Sequence, residues 1–400
     1  MKIPTEIILR PAYTNRVRPF IGKNIIKVFV GQRRVGKSYL LFQLMNELSD
    51  SDSNIIYLNL EDYEYCTLRT PDQLDSHLQS KLHDEKKNLL FIDEIQHVEG
   101  FEVVIRSLLL RENVDIYITG SNAKLLSAEL ATRLTGRYVE FAVHPLSYHE
   151  FLEFHKMDDT QQSLEKYCRF GGLPFLSNLT MEENVVADYL KSVYSAILFH
   201  DIAERYNIRN AMFLENLARF FADNTGSLFS AKSISDYLKS QHSSMSVNQI
   251  QAYAGYLCNA FLIRKVERYD IVGKRIFEIG GKYYFEDLGI RNAIVGYRPM
   301  DRGKLLENIV YNHLCYRGYS VWVGSLDGCE IDFLAEKGNE RIYVQVALSI
   351  DSEETKLREF GNLLKISDNY PKYVVTWEGF EGNTYQGIEE MSLRKFLTEV

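Results

Sequence analysis

The sequence predicts an α/β protein that begins with a parallel β-sheet and continues into helical and further α/β regions. Between residues 21 and 144, apolar runs of strand length near positions 25, 54, 88, 114 and 138 alternate with helical spacing. The first of these runs leads into a glycine-rich loop. Alternating strands and helices are typical of a parallel sheet with right-handed crossovers. Because 400 residues exceed what one core usually holds, two to four domains are expected.

The glycine-rich loop is the most specific feature of the chain. Residues 31–38 read GQRRVGKS and match the phosphate-binding P-loop, G-x-x-x-x-G-K-[ST], at every position. Its glycines let backbone N–H groups face a phosphate, and the helix predicted over residues 38–48 adds a positive field. We expect Lys37 at the β- and γ-phosphates and Ser38 at Mg²⁺. The candidate nucleotide-binding residues are Gly31, Gln32, Arg33, Arg34, Val35, Gly36, Lys37, Ser38 and Tyr39.

Two acids follow a later apolar run. Residues 88–92 predict a buried strand, and Asp93-Glu94 come directly after it. Ligands of a parallel sheet lie at the carboxyl ends of its strands. Asp93 is therefore expected to hold Mg²⁺ through water, and Glu94 to act as the base that polarises an attacking water. Adjacent acids at a strand end are more often solvated turn residues, but the P-loop upstream favours the catalytic interpretation.

Polar residues also flank the last two predicted strands. One strand runs into Gly120-Ser121-Asn122, so a parallel sheet would place Asn122 beside Glu94 and the γ-phosphate, where an amide can sense phosphate or place the water. Arg133 and Arg137 precede the final strand. Either arginine is a candidate for completing the active site of a neighbouring subunit. Solvated loop charges are an equally good interpretation of both.

These motifs together resemble the core of AAA+-type ATPases. Four further segments resemble, more narrowly, a prokaryotic AAA+-like family whose members carry a C-terminal region of unknown function: Thr119-Gly120-Ser121-Asn122, Thr135-Gly136-Arg137, residues 145–151 and Gly171-Gly172-Leu173-Pro174. The resemblance covers essentially the whole chain. It implies ATP and Mg²⁺ as cofactors and hydrolysis of ATP to ADP and phosphate.

The segment after the sheet is predicted to be helical. From residue 145 to about residue 207 no strand pattern recurs, and residues 148–154 and 183–199 have helical spacing. This segment resembles the small helical lid that follows an AAA+ core, and we expect it to clamp the nucleotide. Arg169 is a candidate phosphate contact from the lid, although a surface arginine is the favoured interpretation.

Residues 208–298 predict a winged-helix domain. Helices are expected over residues 212–223, after a serine cap at Ser230 and from Ser246 to residue 258. Residues 261–268 then lead to a two-stranded wing over residues 276–279 and 282–285. The candidate recognition helix carries Asn and Gln, which can read adenine, but no Lys or Arg. Positive charges cluster in the wing at Arg264, Lys265, Arg268, Lys274, Arg275 and Lys282. Phosphate contacts normally dominate DNA affinity, so the missing Lys and Arg in the candidate recognition helix count against DNA binding, whereas the charged wing counts for it. Duplex DNA binding and contact with protein are therefore equally favoured.

The C-terminal region resembles the restriction-endonuclease-like fold. It predicts helices over residues 304–316 and 352–364 and strands over residues 319–323, 330–335, 341–347 and 373–377. In that fold a helix acid, a strand aspartate and an acid-x-lysine pair hold a metal that activates water. Glu307 and Asp332 stand where the first two belong, but Gln345 and Ala347 replace the third element. Lys356 is a candidate migrated lysine, although a solvated helix charge is favoured. We therefore expect a catalytically inactive domain kept for binding.

Composition sets the broad class. With 46% hydrophobic and 25% charged residues, no apolar run of membrane-span length and no signal-peptide core in residues 1–6, a soluble cytoplasmic protein is expected. Five scattered cysteines without a C-x-x-C pair favour neither disulfides nor zinc. A net charge of −8 argues against a protein that coats nucleic acid non-specifically.

The expected organisation is a P-loop ATPase core (1–144), a helical lid (145–207), a winged-helix domain (208–298) and a restriction-endonuclease-like domain (299–400). The expected function is Mg²⁺-dependent ATP hydrolysis that repositions the winged-helix and C-terminal domains. An ATP-gated DNA-processing nuclease and a non-hydrolysing nucleotide-switch scaffold are the alternatives. Beyond ATP, the candidate partners are duplex DNA, a protein of unidentified class and further copies of the same chain; no membrane is expected.

Overall fold

The protein folds into two compact units. The computed structural model describes residues 4, 6–50, 52–122, 134, 136–241, 245–273, 280–379 and 384–400. The first unit comprises Met1–His144 and Asn259–Phe261, and the second comprises Pro145–Cys258 and Leu262–Val400. Each unit has its own β-sheet and its own buried core.

The first unit is built on a five-stranded parallel sheet. Its strands are β1 (Ile26–Val30), β2 (Ser53–Asn59), β3 (Lys87–Asp93), β4 (Val114–Gly120) and β5 (Tyr138–Ala142), in the spatial order β2-β3-β4-β1-β5. The predicted parallel sheet is confirmed. β1 and β4 are buried at every residue, as expected for central strands covered on both faces. Since β4 lies between β1 and β3, the carboxyl ends of these three strands are neighbours.

Helices follow the strands of this sheet in the pattern that the sequence predicts. The described α-helices of the first unit are α1 (Pro11–Val17), α2 (Lys37–Leu48), α3 (Pro71–Gln79) and α4 (Glu102–Leu108). Short 3₁₀-helices cover Arg18–Phe20, Tyr63–Tyr65 and Ile95–His97. The local signals are clear at α3, where Thr70 and Gln73 form a capping box and proline occupies the first turn.

The second unit is mainly helical in its first part. Its α-helices are α5 (Tyr148–His155), α6 (Gln161–Phe170), α7 (Glu183–Ser195), α8 (Ala211–Asp223), α9 (Ala231–Ser240), α10 (Val247–Asn259, whose last residue belongs to the first unit), α11 (Leu288–Val295), α12 (Arg302–Tyr316), α13 (Glu353–Leu364) and α14 (Leu393–Glu399). A π-helix, Ala196–Glu204, continues α7, and 3₁₀-helices cover Pro174–Asn178 and Pro299–Asp301. Ser230 caps α9, as predicted. No helix among the described residues combines the length and apolarity needed to cross a bilayer.

A mixed eight-stranded sheet completes the second unit. Its strands are β6 (Ile263–Asp270), β7 (Gly281–Phe285), β8 (Ser320–Leu326), β9 (Cys329–Lys337), β10 (Glu340–Ala347), β11 (Lys372–Thr376), β12 (Thr384–Tyr385) and β13 (Ile388–Ser392). Their order is β12-β13-β11-β10-β9-β8-β6-β7. The sequence did not predict β12, β13 or α14.

The wing differs from its prediction. β7 pairs antiparallel with β6, whereas the strand predicted over residues 276–279 lies outside the described residues. β6 also pairs in parallel with β8, through Arg268 to Asp270. The wing strand that the structure describes, β7, is thus part of the sheet that continues to β13, because β6 forms hydrogen bonds along both of its edges. The division of residues 145–400 into lid, winged helix and C-terminal domain stays a prediction.

Candidate functional site

The P-loop connects β1 to α2. A Cβ atom at Gly31 would lie 2.1 Å from the carbonyl oxygen of Val143, so this position accepts only glycine. Gly36 has φ +97° and forms the N-cap of α2, which places the positive end of the helix at the loop. Of the remaining loop residues, Gln32 and Val35 are buried, whereas Arg34 and Tyr39 are exposed. The predicted phosphate cradle therefore has the local geometry that its motif requires.

Lys37 lies buried against the loop, with 4% of its surface exposed. Its Nζ donates hydrogen bonds of 3.1 Å to the carbonyl oxygens of Gly31 and of Gln32. The same Nζ lies 3.6 Å from Oε1 of Glu94. A phosphate entering the loop competes with these three oxygens for the ammonium group.

Asp93 lies at the end of β3 and is 2% exposed. Its carboxylate accepts hydrogen bonds from the Thr119 hydroxyl, from the Tyr57 hydroxyl at 3.2 Å and from Ser38. Burial, followed by the charge of Glu94, raises the pKa of Asp93, while the hydrogen bonds from Ser38 and Thr119 oppose that rise. The two predicted metal ligands, Ser38 and Asp93, are thus adjacent. A carboxylate and a hydroxyl are hard oxygen donors that fit Mg²⁺.

Glu94 follows Asp93 in an unusual backbone conformation, with φ +54°. Its N–H donates to the Thr119 hydroxyl at 2.9 Å. Oε1 faces Lys37, and Oε2 accepts a hydrogen bond from Nε2 of Gln96, which also donates to the Ser121 hydroxyl at 3.1 Å. A non-glycine residue in the left-handed region costs conformational energy and often marks a functional site.

Arg33 of the P-loop is engaged with the end of β2. Its Nη1 lies 3.3 Å from Oε1 of Glu61, and Nε2 of His97 lies 3.9 Å from the same oxygen. The hydrogen bond from His97 and the charge of Arg33 lower the pKa of Glu61 to about 2. Glu61 thus stays ionised and ties the P-loop to the segment that follows β2.

The remaining predicted site residues are Asn122, Arg137 and Arg133. Asn122 is buried, 1% exposed, and its predicted place beside Glu94 stays a prediction. Arg137 is exposed, and its carbonyl oxygen accepts from the Ile26 N–H at the start of β1. The P-loop follows the other end of β1, which is roughly 16 Å away for a strand of this length. Arg137 is therefore remote from the P-loop of its own chain, and the two interpretations, an intersubunit contact and a solvated loop charge, both stay open. Arg133 lies outside the described residues.

Four residues of this site were missed by the sequence reasoning. Tyr57 and Thr119 hold Asp93, while Gln96 and Ser121 are linked to Glu94. Thr119 and Ser121 were noted only as part of a motif. Tyr57 and Thr119 come from the strands on either side of β3, so their contacts with Asp93 depend on the strand order. Polar residues at the carboxyl ends of predicted strands are the available signal.

Comparison with known proteins shows the family of the chain. The AAA domain family matches residues 23–152, and a domain of unknown function (DUF8612) matches residues 161–301. An uncharacterized protein of Haemophilus influenzae is 39% identical over 98% of this chain and 99% of its own length. An uncharacterized protein of Methanocaldococcus jannaschii is 31% identical over 92% of this chain and 86% of its own length. The chain belongs to this AAA+-like P-loop family. The ORC1 protein of Aeropyrum pernix, solved in complex with DNA, has a TM-score of 0.33 and 13% identity, covering 73% of this chain and 93% of that one.

The second unit of this AAA+-like protein contains a carboxylate cluster that differs from its prediction. Lys282 was expected on an exposed wing, but it is 5% exposed, because β7 is buried at every residue. Its Nζ lies 2.8 Å from Oε1 of Glu307, 2.8 Å from Oε1 of Glu330 and 3.8 Å from Oδ1 of Asp332. Burial lowers the pKa of Lys282, but these three carboxylates outweigh it and raise the pKa above its usual value. We call these four residues the Lys282 cluster.

The Lys282 cluster changes two expectations. Glu307 and Asp332 come together, as the resemblance implied, but a lysine from β7 lies between them. Lys356, the candidate migrated lysine, instead lies 5.0 Å from the centre of the Tyr385 ring. Gln345 accepts a hydrogen bond of 3.2 Å from the Asp332 N–H.

The positive charge of the predicted wing is reduced as well. Lys282 is enclosed by carboxylates, and Arg264 pairs with Glu286, with 3.1 Å between Nη2 and Oε1. Lys274 and Arg275 lie outside the described residues. Duplex DNA binding through this region stays a prediction, now supported by fewer exposed charges.

The glycine pair of residues 171–172 has a structural explanation in the AAA+-like chain. Gly171 has φ +76°, and a Cβ there would lie 2.5 Å from Oδ1 of Asp287. A Cβ at Gly172 would lie 2.5 Å from the carbonyl oxygen of Leu146. The Gly172 N–H donates to Asp287 at 2.7 Å. Burial raises the pKa of Asp287 to about 6, against the hydrogen bonds from Gly172 and Ile290.

Arg169, the candidate phosphate contact of the lid, has partners within its own unit. It pairs with Glu183 and lies over the rings of Phe170 and Tyr297, at 5.6 and 5.5 Å from their centres. These residues line a cavity of about 310 Å³ between α6, α7 and α11. The favoured interpretation, a surface arginine, is consistent with its exposed fraction of 37% and with these contacts.

Proposed function

We propose that this protein is a Mg²⁺-dependent ATPase of AAA+ type. The observation that carries the proposal is the convergence of Lys37, the Ser38–Asp93 pair and Glu94 at the P-loop end of the sheet. A phosphate cradle, an oxygen-donor pair suited to Mg²⁺ and a carboxylate that can act as base are the parts that P-loop hydrolysis requires. The match of residues 23–152 to the AAA domain family supports the same conclusion.

Binding and chemistry follow from the positions of these groups. The P-loop N–H groups and Lys37 bind the β- and γ-phosphates, so Lys37 exchanges its contacts to two carbonyl oxygens and Glu94 for phosphate oxygens. Ser38 and Asp93 would hold Mg²⁺, which neutralises phosphate charge when bound. Glu94 is then released from its cation and can accept a proton.

The hydrolytic step balances with Glu94 as the base. The water oxygen forms a bond to the γ-phosphorus, and the bond from that phosphorus to the β,γ-bridging oxygen breaks. The bonding electron pair leaves with ADP, and the proton of the water passes to Glu94. Nucleotide-dependent repositioning of the second unit is part of the proposal. The roles of Lys37, the Ser38–Asp93 pair and Glu94 in ATP binding and hydrolysis do not depend on this repositioning.

Two substitutions test these roles. Lys37→Ala should abolish ATP binding, because the loop loses the cation that its motif directs at the phosphates. Glu94→Gln should keep ATP affinity within about threefold and lower turnover at least about a hundredfold, since the amide has the same size but cannot act as base. Equilibrium titration with ATP and a phosphate-release assay separate the two effects. Equal loss of ATP binding in both variants would show that the assigned roles are wrong.

A further inference from the structure

Gln96 lies two residues after the proposed base, in the short 3₁₀-helix Ile95–His97. Its Nε2 donates one hydrogen bond to Oε2 of Glu94 and one, of 3.1 Å, to the Ser121 hydroxyl. An amide nitrogen carries two hydrogens, so both are used. A carboxylate oxygen can only accept, which fixes the orientation of the Gln96 amide. Gln96 therefore bridges the carboxyl ends of β3 and β4.

The two oxygens of Glu94 have different partners. Oε1 lies 3.6 Å from Nζ of Lys37, and Oε2 is held by Gln96. When a phosphate binds Lys37 in place of Glu94, Oε1 of Glu94 loses its cation, while Oε2 keeps the hydrogen bond from Gln96. The carboxylate is then left with one oxygen fixed and the other available to a water molecule. Such an arrangement fixes the geometry of a base without neutralising it.

The second hydrogen bond of Gln96 leads to β4. Ser121 is 1% exposed and precedes Asn122, the residue that the sequence suggested as a phosphate sensor. Thr119 of the same strand accepts a hydrogen bond from the Glu94 N–H at 2.9 Å. Two hydrogen-bonded connections thus link residues 94–96 to residues 119–121. A shift at the end of β4 would be transmitted to the Glu94 carboxylate.

Packing alone does not account for a glutamine at this position. Oε1 of Gln96 is buried and has no hydrogen-bond partner among the described residues. Burying an amide oxygen without a partner costs free energy, and an apolar side chain of the same length would avoid that cost. The donor end of the amide is the part of Gln96 that the site uses.

We propose that Gln96 is a positioning residue for ATP hydrolysis. It holds Oε2 of Glu94 and links it to Ser121, so that Oε1 is presented to the attacking water once phosphate has displaced it from Lys37. This inference rests on the proposed ATPase function. No role in binding nucleotide is assigned to Gln96.

The test uses Gln96→Met in the full-length chain, because methionine keeps the length of the side chain and removes both donors. We expect kcat to fall roughly tenfold to a hundredfold, which corresponds to loss of a charge-assisted hydrogen bond. The Kd for ATP, measured by equilibrium titration, should stay within about twofold. A residue that merely stabilised the P-loop would change Kd as well.

Ser121→Ala is the matched control, because it removes one of the two connections and leaves the Glu94–Gln96 hydrogen bond. We expect a loss of kcat of a few fold, and the double variant should be no slower than Gln96→Met alone. Unfolding of the nucleotide-free proteins gives a readout that is independent of turnover. There the destabilisations caused by the two substitutions should be less than additive.

The possible failures can be told apart. A kcat of Gln96→Met equal to that of the wild type would contradict the inference. A parallel loss of ATP affinity and turnover in this variant would contradict it too. Neither result would contradict the ATPase proposal. If the wild-type protein binds ATP but does not hydrolyse it, both the ATPase proposal and the role of Gln96 are wrong. If Gln96→Met does not fold, Gln96→Glu decides the question, since it keeps the shape and replaces the donor by a second carboxylate. An unchanged kcat in that variant would again contradict the inference.

Discussion

Lys37 and Lys282 are both buried lysines that face carboxylates, but the two regions around them are suited to different tasks. Nζ of Lys37 contacts two carbonyl oxygens at 3.1 Å and a single carboxylate at 3.6 Å. Nζ of Lys282 lies within 2.8 Å of two carboxylates and 3.8 Å of a third. The partners of Lys37 are exchangeable for phosphate, whereas Lys282 is neutralised by its own chain. A lysine among acids indicates a ligand site only where its partners can be exchanged.

The same substitution at both positions should show this contrast most strongly. Lys282→Met leaves the buried carboxylate of Asp332 and the partly exposed carboxylates of Glu307 and Glu330 without their cation, and should destabilise the protein by about 3–5 kcal/mol. Lys37→Met removes weaker interactions and should cost about 1 kcal/mol. Urea unfolding without nucleotide measures the free energy of unfolding of both variants. A spectroscopic signal from each unit reports where the stability is lost. Equal losses at the two positions would contradict the comparison.

A divalent metal should affect the stability of Lys282→Met differently from that of the wild type. Without Lys282, the carboxylates of Glu307, Glu330 and Asp332 form a set of hard oxygen donors. We expect Mn²⁺ to restore part of the stability of Lys282→Met and to leave wild type and Lys282→Arg unchanged, in unfolding experiments with and without chelator. Stabilisation of the wild type by Mn²⁺ that is lost in Asp332→Asn would mean that the cluster already binds metal.

Nucleic acids should remain intact in the presence of the protein. Lys282 occupies the carboxylates that a nuclease would use for metal, and Gln345 supplies no negative charge. Incubation with single-stranded, duplex and branched DNA and with RNA, in Mg²⁺ or Mn²⁺ with and without ATP, should therefore give no cleavage on gels. Cleavage that disappears in Asp332→Ala would favour the ATP-gated nuclease instead.

The first region could be read largely from the sequence, because its signals are local. The strand and the glycine pattern of the P-loop form one contiguous segment, the acids Asp93 and Glu94 follow a second strand directly, and the structure brings the two segments together. The serine cap at Ser230 is local as well. Tyr57 was out of reach, since it meets Asp93 only because β2 and β3 are neighbours in the sheet.

The second region could not be read in the same way. Lys282 lies 25 positions before Glu307, and their contact depends on β7 packing beside α12. The pairing of β6 with β8 likewise joins segments that are distant in the chain. The short strand predicted over residues 282–285 came after three predicted helices, so the local pattern around Lys282 indicated a wing. Long-range pairing overrode that local signal.

The most direct test of the account measures ATP turnover in Glu94→Gln and Asp332→Asn side by side, with unfolding curves to confirm that both fold. The proposed chemistry takes place at the P-loop, and none is proposed at the Lys282 cluster. Phosphate release should therefore fall at least about a hundredfold in Glu94→Gln and stay within about twofold of wild type in Asp332→Asn. Turnover that survives in Glu94→Gln, or that is lost in a folded Asp332→Asn, would contradict it.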